Sequence, residues 1–181
     1  MRRFLVVALS VSALLAGGTV SAAASSADAA SAPSAASHDG WVPEPIPPSY
    51  DAPAGLLCDF PVHWDVTVNQ VRTKVVESYP DGKPKRQLAT GALFLNVSNA
   101  ATGASTLVDA SGSAVIEYGT DGSMVWYVVG PVIARIAAGS SNLPRGLYTI
   151  DGVYRIEFSA TGFKTVTLVH GTVHNLCDDL G

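Results

Sequence analysis

From Phe60 onward the apolar residues fall on every second position. Phe60, Val62, Trp64, Val66 and Val68 alternate with Pro61, His63, Asp65, Thr67 and Asn69. Successive side chains of an extended chain point to opposite faces, so this spacing specifies a strand with one buried face. Leu93, Leu95 and Val97 repeat the pattern. Turn formers stand between the runs: Tyr79-Pro80-Asp81-Gly82, Asn99-Ala100-Ala101-Thr102-Gly103, Asp121-Gly122, Asp151-Gly152 and Thr161-Gly162. Asp-Gly pairs tolerate the positive φ that tight hairpin turns demand. No helical periodicity of useful length interrupts them. The expectation is an all-β domain, an antiparallel meander of about eight to ten strands forming a barrel or flattened barrel, with a β-sandwich as the alternative.

Ahead of this domain the chain reads differently. Met1-Arg2-Arg3 is a positive start, residues 4–16 are apolar, Gly17-Gly18 breaks the run, and small residues follow at Val20-Ser21-Ala22 and Ala27-Asp28-Ala29. That is the order of an export leader. Its apolar run is too short to cross about 30 Å of hydrocarbon as a helix. Residues 1–29 are expected to be a signal peptide, residues 30–56 an Ala/Ser/Pro-rich disordered linker, and residues 57–181 the β-domain. Within the linker, Trp41-Val42-Pro43-Glu44-Pro45-Ile46-Pro47-Pro48 reads as polyproline-like chain with no core of its own. The protein is expected to be secreted and extracellular, with no membrane association once the leader is cleaved.

The cysteines, Cys58 and Cys177, bracket the domain. Export places them in an oxidising compartment, where a disulfide is expected. Cys58 precedes the first strand and Cys177 ends the last, so the bond is expected to join the terminal strands. If Cys58 lies opposite Cys177 and those strands pair antiparallel, Val62 faces Val173, Trp64 faces Gly171 and Val66 faces Val169 on an apolar face. The other face then pairs His63 with Thr172 and Asp65 with His170. That register gathers His63, Asp65 and His170, a set able to bind zinc or another borderline metal. The plainer reading is a solvated Asp–His pair. His170 and His174 alone cannot share an ion, because four residues of strand span about 13 Å.

A net charge of −4 and a pI near 5.4 argue against nucleic acid as a partner. The sequence holds no phosphate-binding glycine loop and no G-x-S-x-G nucleophile elbow, and nothing in it implies a cofactor. Asp65, Glu117, Glu157, Asp178 and Asp179 are scattered, and spacing selects no catalytic pair among them. Trp64, Trp126, Tyr118, Tyr127 and Tyr154 would be the members of a sugar-stacking platform, but Trp64 lies on the apolar face of its strand. From Met124 to Ala134 both strand faces are apolar, which requires a cover: a second sheet, the N-terminal arm or a partner.

Cys58-Asp59-Phe60-Pro61-Val62, the segment from Asn96 to Gly103, Gly130-Pro131 and the closing Gly171-Thr172-Val173-His174-Asn175-Leu176-Cys177 together resemble a group of small secreted proteins from high-GC Gram-positive bacteria. The resemblance implies fold and export and assigns no site residue. The expected role is that of a non-catalytic extracellular binding or structural β-domain, its partner an unspecified extracellular molecule or small ligand. The alternatives are a lipocalin-like carrier of a small apolar ligand, and a small-barrel enzyme such as a cyclase. An enzyme would need titratable groups pointing inward, and a carrier would need a cavity in place of a filled core. N-terminal sequencing of the secreted protein is expected to start between Ala23 and Ala30; an intact Met1 would overturn cleavage.

Overall fold

The structure, a computed structural model, describes residues 39–181. The expected signal peptide and the first part of the expected linker lie outside the described residues. Two short strands come first, β1 (Val42–Pro43) and β2 (Tyr50–Ala52). They are followed by β3 (Val62–Asn69), β4 (Arg72–Ser78), β5 (Pro84–Thr90) and β6 (Leu93–Asn99). Next come β7 (Ser105–Asp109), β8 (Ser113–Tyr118), β9 (Met124–Val129) and β10 (Val132–Ile136). The longer β11 (Gly146–Phe158) and β12 (Lys164–Asn175) lead into a single helical turn, α1 (Cys177–Leu180).

These strands form two antiparallel sheets. One has four strands in the order β2-β3-β6-β7; the other has eight, β1-β4-β5-β8-β9-β11-β10 with β12 also on β11. The sheets are halves of the same bent strands. Gln70-Val71 separates β3 from β4, Gly91-Ala92 separates β5 from β6, and residues 110–112 separate β7 from β8. Each pair has one member in each sheet. The β4–β5 hairpin and the β3–β6 pair are therefore one ribbon folded over a corner. At that corner Gly91 has φ +132°, and a Cβ there would run into the Gln70 carbonyl. Further on, β9 and β10 lie end to end along one side of β11, since Val129 faces Val153 and Val132 faces Ile150.

The antiparallel all-β fold is as the alternation implies, but the meander does not close into a barrel. The sheets are sandwich-like. The expected pairing of the terminal strands is absent: β3 pairs with β2 and β6, while β12 pairs with β11. Closure fails because the outer edge of β3 from Val62 to Trp64, which the expected register assigns to residues 171–173, is already occupied. Tyr50, Ala52 and their neighbour Asp51 pair with Trp64, Val62 and His63, and β1 does the same for β4. Residues from Trp41 to Ala52, expected to belong to a disordered linker, thus supply two edge strands. Pro43 is tolerated there because an edge strand keeps one side free of ladder bonds. Gly171, expected opposite Trp64, instead faces Gly152, and both have positive φ.

The core forms two clusters. Val62, Trp64, Leu95, Val97 and Val108 of the four-stranded sheet pack with Leu147, Leu176 and Leu180. Val128, Ala134, Ile136, Tyr148, Ile150, Tyr154, Ile156 and Val166 form the second cluster on the eight-stranded sheet. The Cys58–Cys177 disulfide, with Cα atoms 5.4 Å apart, ties the approach to β3 to the residue just beyond β12. It therefore joins one sheet to the other. Asn99, buried, reinforces the joint: its Nδ2 donates to the Leu180 carbonyl at 2.9 Å. The bonded cysteines are 119 residues apart, so cross-linking limits the unfolded chain by about 5 kcal/mol in the chain-entropy model. Reduction, or a Cys58→Ser/Cys177→Ser double variant, is expected to lower Tm by about 10–20 °C in calorimetry. An unchanged Tm would show that packing alone holds the sheets together.

Candidate functional site

A trough of about 370 Å³ opens on the inner face of the eight-stranded sheet. Alternation within each strand builds it. Trp126 of β9, Val132, Ala134 and Ile136 of β10, Ile156 and Phe158 of β11 and Val166 of β12 all point to one face and line it. The Trp126 and Phe158 rings meet at 5.2 Å with a 50° tilt. Opposite them the arm contributes Tyr50, Leu56 and Leu57. Beyond Trp126, Val132 and Ile133, which both spaces share, lies a second hollow of about 340 Å³. Its lining explains why it is hollow. Thr73, Ala89 and Ala114 stand in one row across β4, β5 and β8, and these short side chains leave volume that larger ones would fill. At its polar end the Tyr118 hydroxyl donates to Gln87 Oε1 at 2.6 Å, and burial raises the pKa of that phenol.

The charged side chains lining the trough are Arg135 and Lys164. Arg135 is held by aromatic rings: its guanidinium carbon lies 5.1 Å from the Tyr50 centroid and 5.4 Å from that of Trp64. Those two rings stack at 4.3 Å. Cation–π attraction fixes the guanidinium without consuming its N–H donors. Lys164 is anchored through its backbone. Its N–H donates to the Ser140 carbonyl at 2.9 Å, and its carbonyl accepts from Asn142 N–H at 3.2 Å.

The residues singled out as metal candidates are not brought together. His63 and Asp65 lie on β3, while His170 lies on β12 of the other sheet, opposite Val153. Both nitrogens of His63 are taken: Nδ1 is 2.8 Å from Asp51 Oδ1 and Nε2 is 2.8 Å from Asp65 Oδ2. Among the described residues no group of three His, Cys, Asp or Glu side chains is placed to hold a metal ion. Ser98 lies directly across from His63, but its hydroxyl donates to the His63 backbone carbonyl at 3.3 Å, so no serine–imidazole pair forms. His174 pairs with Asp179 at 2.7 Å. The aromatic platform is dispersed as well. Trp64 and Tyr154 are buried, and Tyr154 donates to the Gly130 and Ile150 carbonyls. Tyr127 is exposed, on an outer face that also shows Val129 at 61% and Val153 at 43% exposure. The apolar second face of β9 therefore has no cover among the described residues.

Sequence reasoning missed Arg135 and Lys164, because a lone cation on an alternating strand carries no local signal. It also missed Asp51, which lay in the expected linker. Asp51 first, then Asp65, raises the pKa of His63 by hydrogen bonding to the imidazolium. A raised folded pKa means the clasp between β2 and β3 is complete below the ordinary imidazole range and fades as pH rises through the folded value. The Tm advantage of the native protein over His63→Gln is expected to narrow between pH 5 and pH 8. An advantage that is constant or grows with pH would exclude the bridge. Among the described residues no helix is long and apolar enough to cross a membrane. No family model, no curated protein and no solved structure matches the chain.

Proposed function

We propose that this chain is an exported, non-catalytic binding protein that takes a small apolar molecule into the trough beside Trp126. The volume carries this reading: about 370 Å³, lined mainly by aliphatic and aromatic side chains, falls within the range of small-molecule sites. The second hollow extends the apolar surface past Val132 and Ile133. The leader-like N-terminus supports export, and the Cys58–Cys177 bond is consistent with an oxidising compartment. Asp65, Glu117 and Glu157 lie on separate strands, and Glu117 and Glu157 engage Arg86 and Arg155. A second reading, docking of a protein partner, is supported by the uncovered face at Tyr127, Val129 and Val153.

The two readings differ in where a blocking residue acts. Ala137 is half-buried just past β10 and lines the trough. N-phenyl-1-naphthylamine, a neutral fluorescent probe, is expected to bind saturably at one site per chain. Ala137→Phe is expected to weaken it at least tenfold with Tm retained, while Val129→Ser leaves it unchanged. Non-saturable binding, or loss with Val129→Ser but not Ala137→Phe, would remove the trough reading.

A further inference from the structure

Five of the nine lysines and arginines among the described residues sit in ion pairs. Lys83 pairs with Asp81, Lys85 with Glu77, Arg86 with Glu77 and Glu117, Arg145 with Asp59, and Arg155 with Glu157. Arg72, Lys74, Arg135 and Lys164 have no carboxylate within ion-pair distance among the described residues, and of these Arg135 and Lys164 line the trough. The chain carries a net charge of −4, so acidic groups outnumber cations, yet exposed Arg135 and half-buried Lys164 border one apolar space without a counter-ion. The head of Arg135 and the backbone that carries Lys164 are each held by something other than a counter-ion. The Tyr50–Trp64 stack supports the Arg135 guanidinium, and the Ser140–Asn142 segment grips the Lys164 backbone. Positioning a cation without neutralising it leaves its charge and its donors for a ligand.

We propose that the ligand of the trough is an amphiphilic carboxylate. Its acid head lies between Arg135 and Lys164, and its apolar body lies along Trp126 and Phe158. This rests on the trough reading and adds the chemistry of the head. An aliphatic body gains by leaving water against the apolar lining, in proportion to the area it buries. The head avoids the cost of burying a lone charge because two cations already face it. A planar carboxylate also matches the guanidinium fork.

Decanoate and decanol share a body and differ in the head, so they separate the two claims. Both are titrated into the disulfide-bonded protein at pH 7, with tryptophan fluorescence and calorimetry as readouts. Decanoate is expected to bind at least tenfold more tightly than decanol. The preference is expected to fall below threefold in Lys164→Gln/Arg135→Gln, while the affinity for decanol stays within threefold of native. Because Arg135 leans on Tyr50 and Trp64, the single variant Lys164→Gln serves as a second test and is expected to lose part of the preference with Tm unchanged. Equal binding of the two probes, or a preference that survives the double substitution, overturns the acid head and leaves an apolar trough. Failure of both probes to bind overturns the trough itself.

Discussion

The outer edge of β3 pairs with β2, and a few residues further along the same segment Cys58 is bonded to Cys177. The arrangement of the domain follows from these two facts together. A sheet edge offers unpaired N–H and C=O groups, and whichever strand fills it first excludes all others. With β2 in place, β12 cannot return to β3, and the meander stays open. The disulfide then does what edge pairing would have done: it holds the end of the eight-stranded sheet beside the entry of the four-stranded one. The free edge of β12 is managed locally. Asn142 imitates a strand there, its side-chain Oδ1 accepting from Val166 N–H at 2.8 Å and its Nδ2 donating to the Val166 carbonyl at 2.9 Å.

An open sandwich has a consequence that a closed, filled barrel would not. Where strands bend over a corner, the inner faces diverge, and the side chains available must fill a wedge. Large residues fill it around Trp64, Leu95 and Val97. Around Thr73, Ala89 and Ala114 the residues are small, and the wedge stays hollow. Protein interiors otherwise pack at the density of organic crystals, so a hollow walled by small side chains marks either lost stability or a place for a ligand.

The arm also shapes the electrostatics on both sides of β3. On the inner side Tyr50 stacks on Trp64 and supports Arg135. On the outer side Asp51 bonds His63, and Asp65 holds the other nitrogen. One strand of three residues, Tyr50–Ala52, therefore contributes a ring to the trough, a carboxylate to a pH-sensitive clasp and Ala52 to the core. Alternation makes this possible, because neighbouring side chains go to opposite faces.

Strand identity, most of the turns and the choice of bonded cysteines were legible in the sequence. Each rests on short-range physics: period-two alternation from Phe60 to Val68, Asp-Gly turns that accept positive φ, and two thiols behind a leader-like N-terminus. Edge pairing was not legible. The pattern of β3 suits β12 as well as β2, since a register through Cys58 and Cys177 also sorts polar from apolar residues, so alternation alone cannot choose between them. The short arm strand decided it, through a Tyr50–Trp64 stack and a buried Ala52 that no periodicity announces. The metal cluster of His63, Asp65 and His170 dissolved for the same reason, being a product of the register. The candidate site belongs to the tertiary structure altogether. Arg135 and Lys164 lie far apart in the chain on strands that look ordinary, and the hollow beside them is a sum of small side chains from β4, β5 and β8. The sequence by itself determined what each segment becomes, because that depends on neighbours along the chain. Which segments meet, and the space they leave, was decided only by folding, because both depend on competition between edges and on volumes summed across strands.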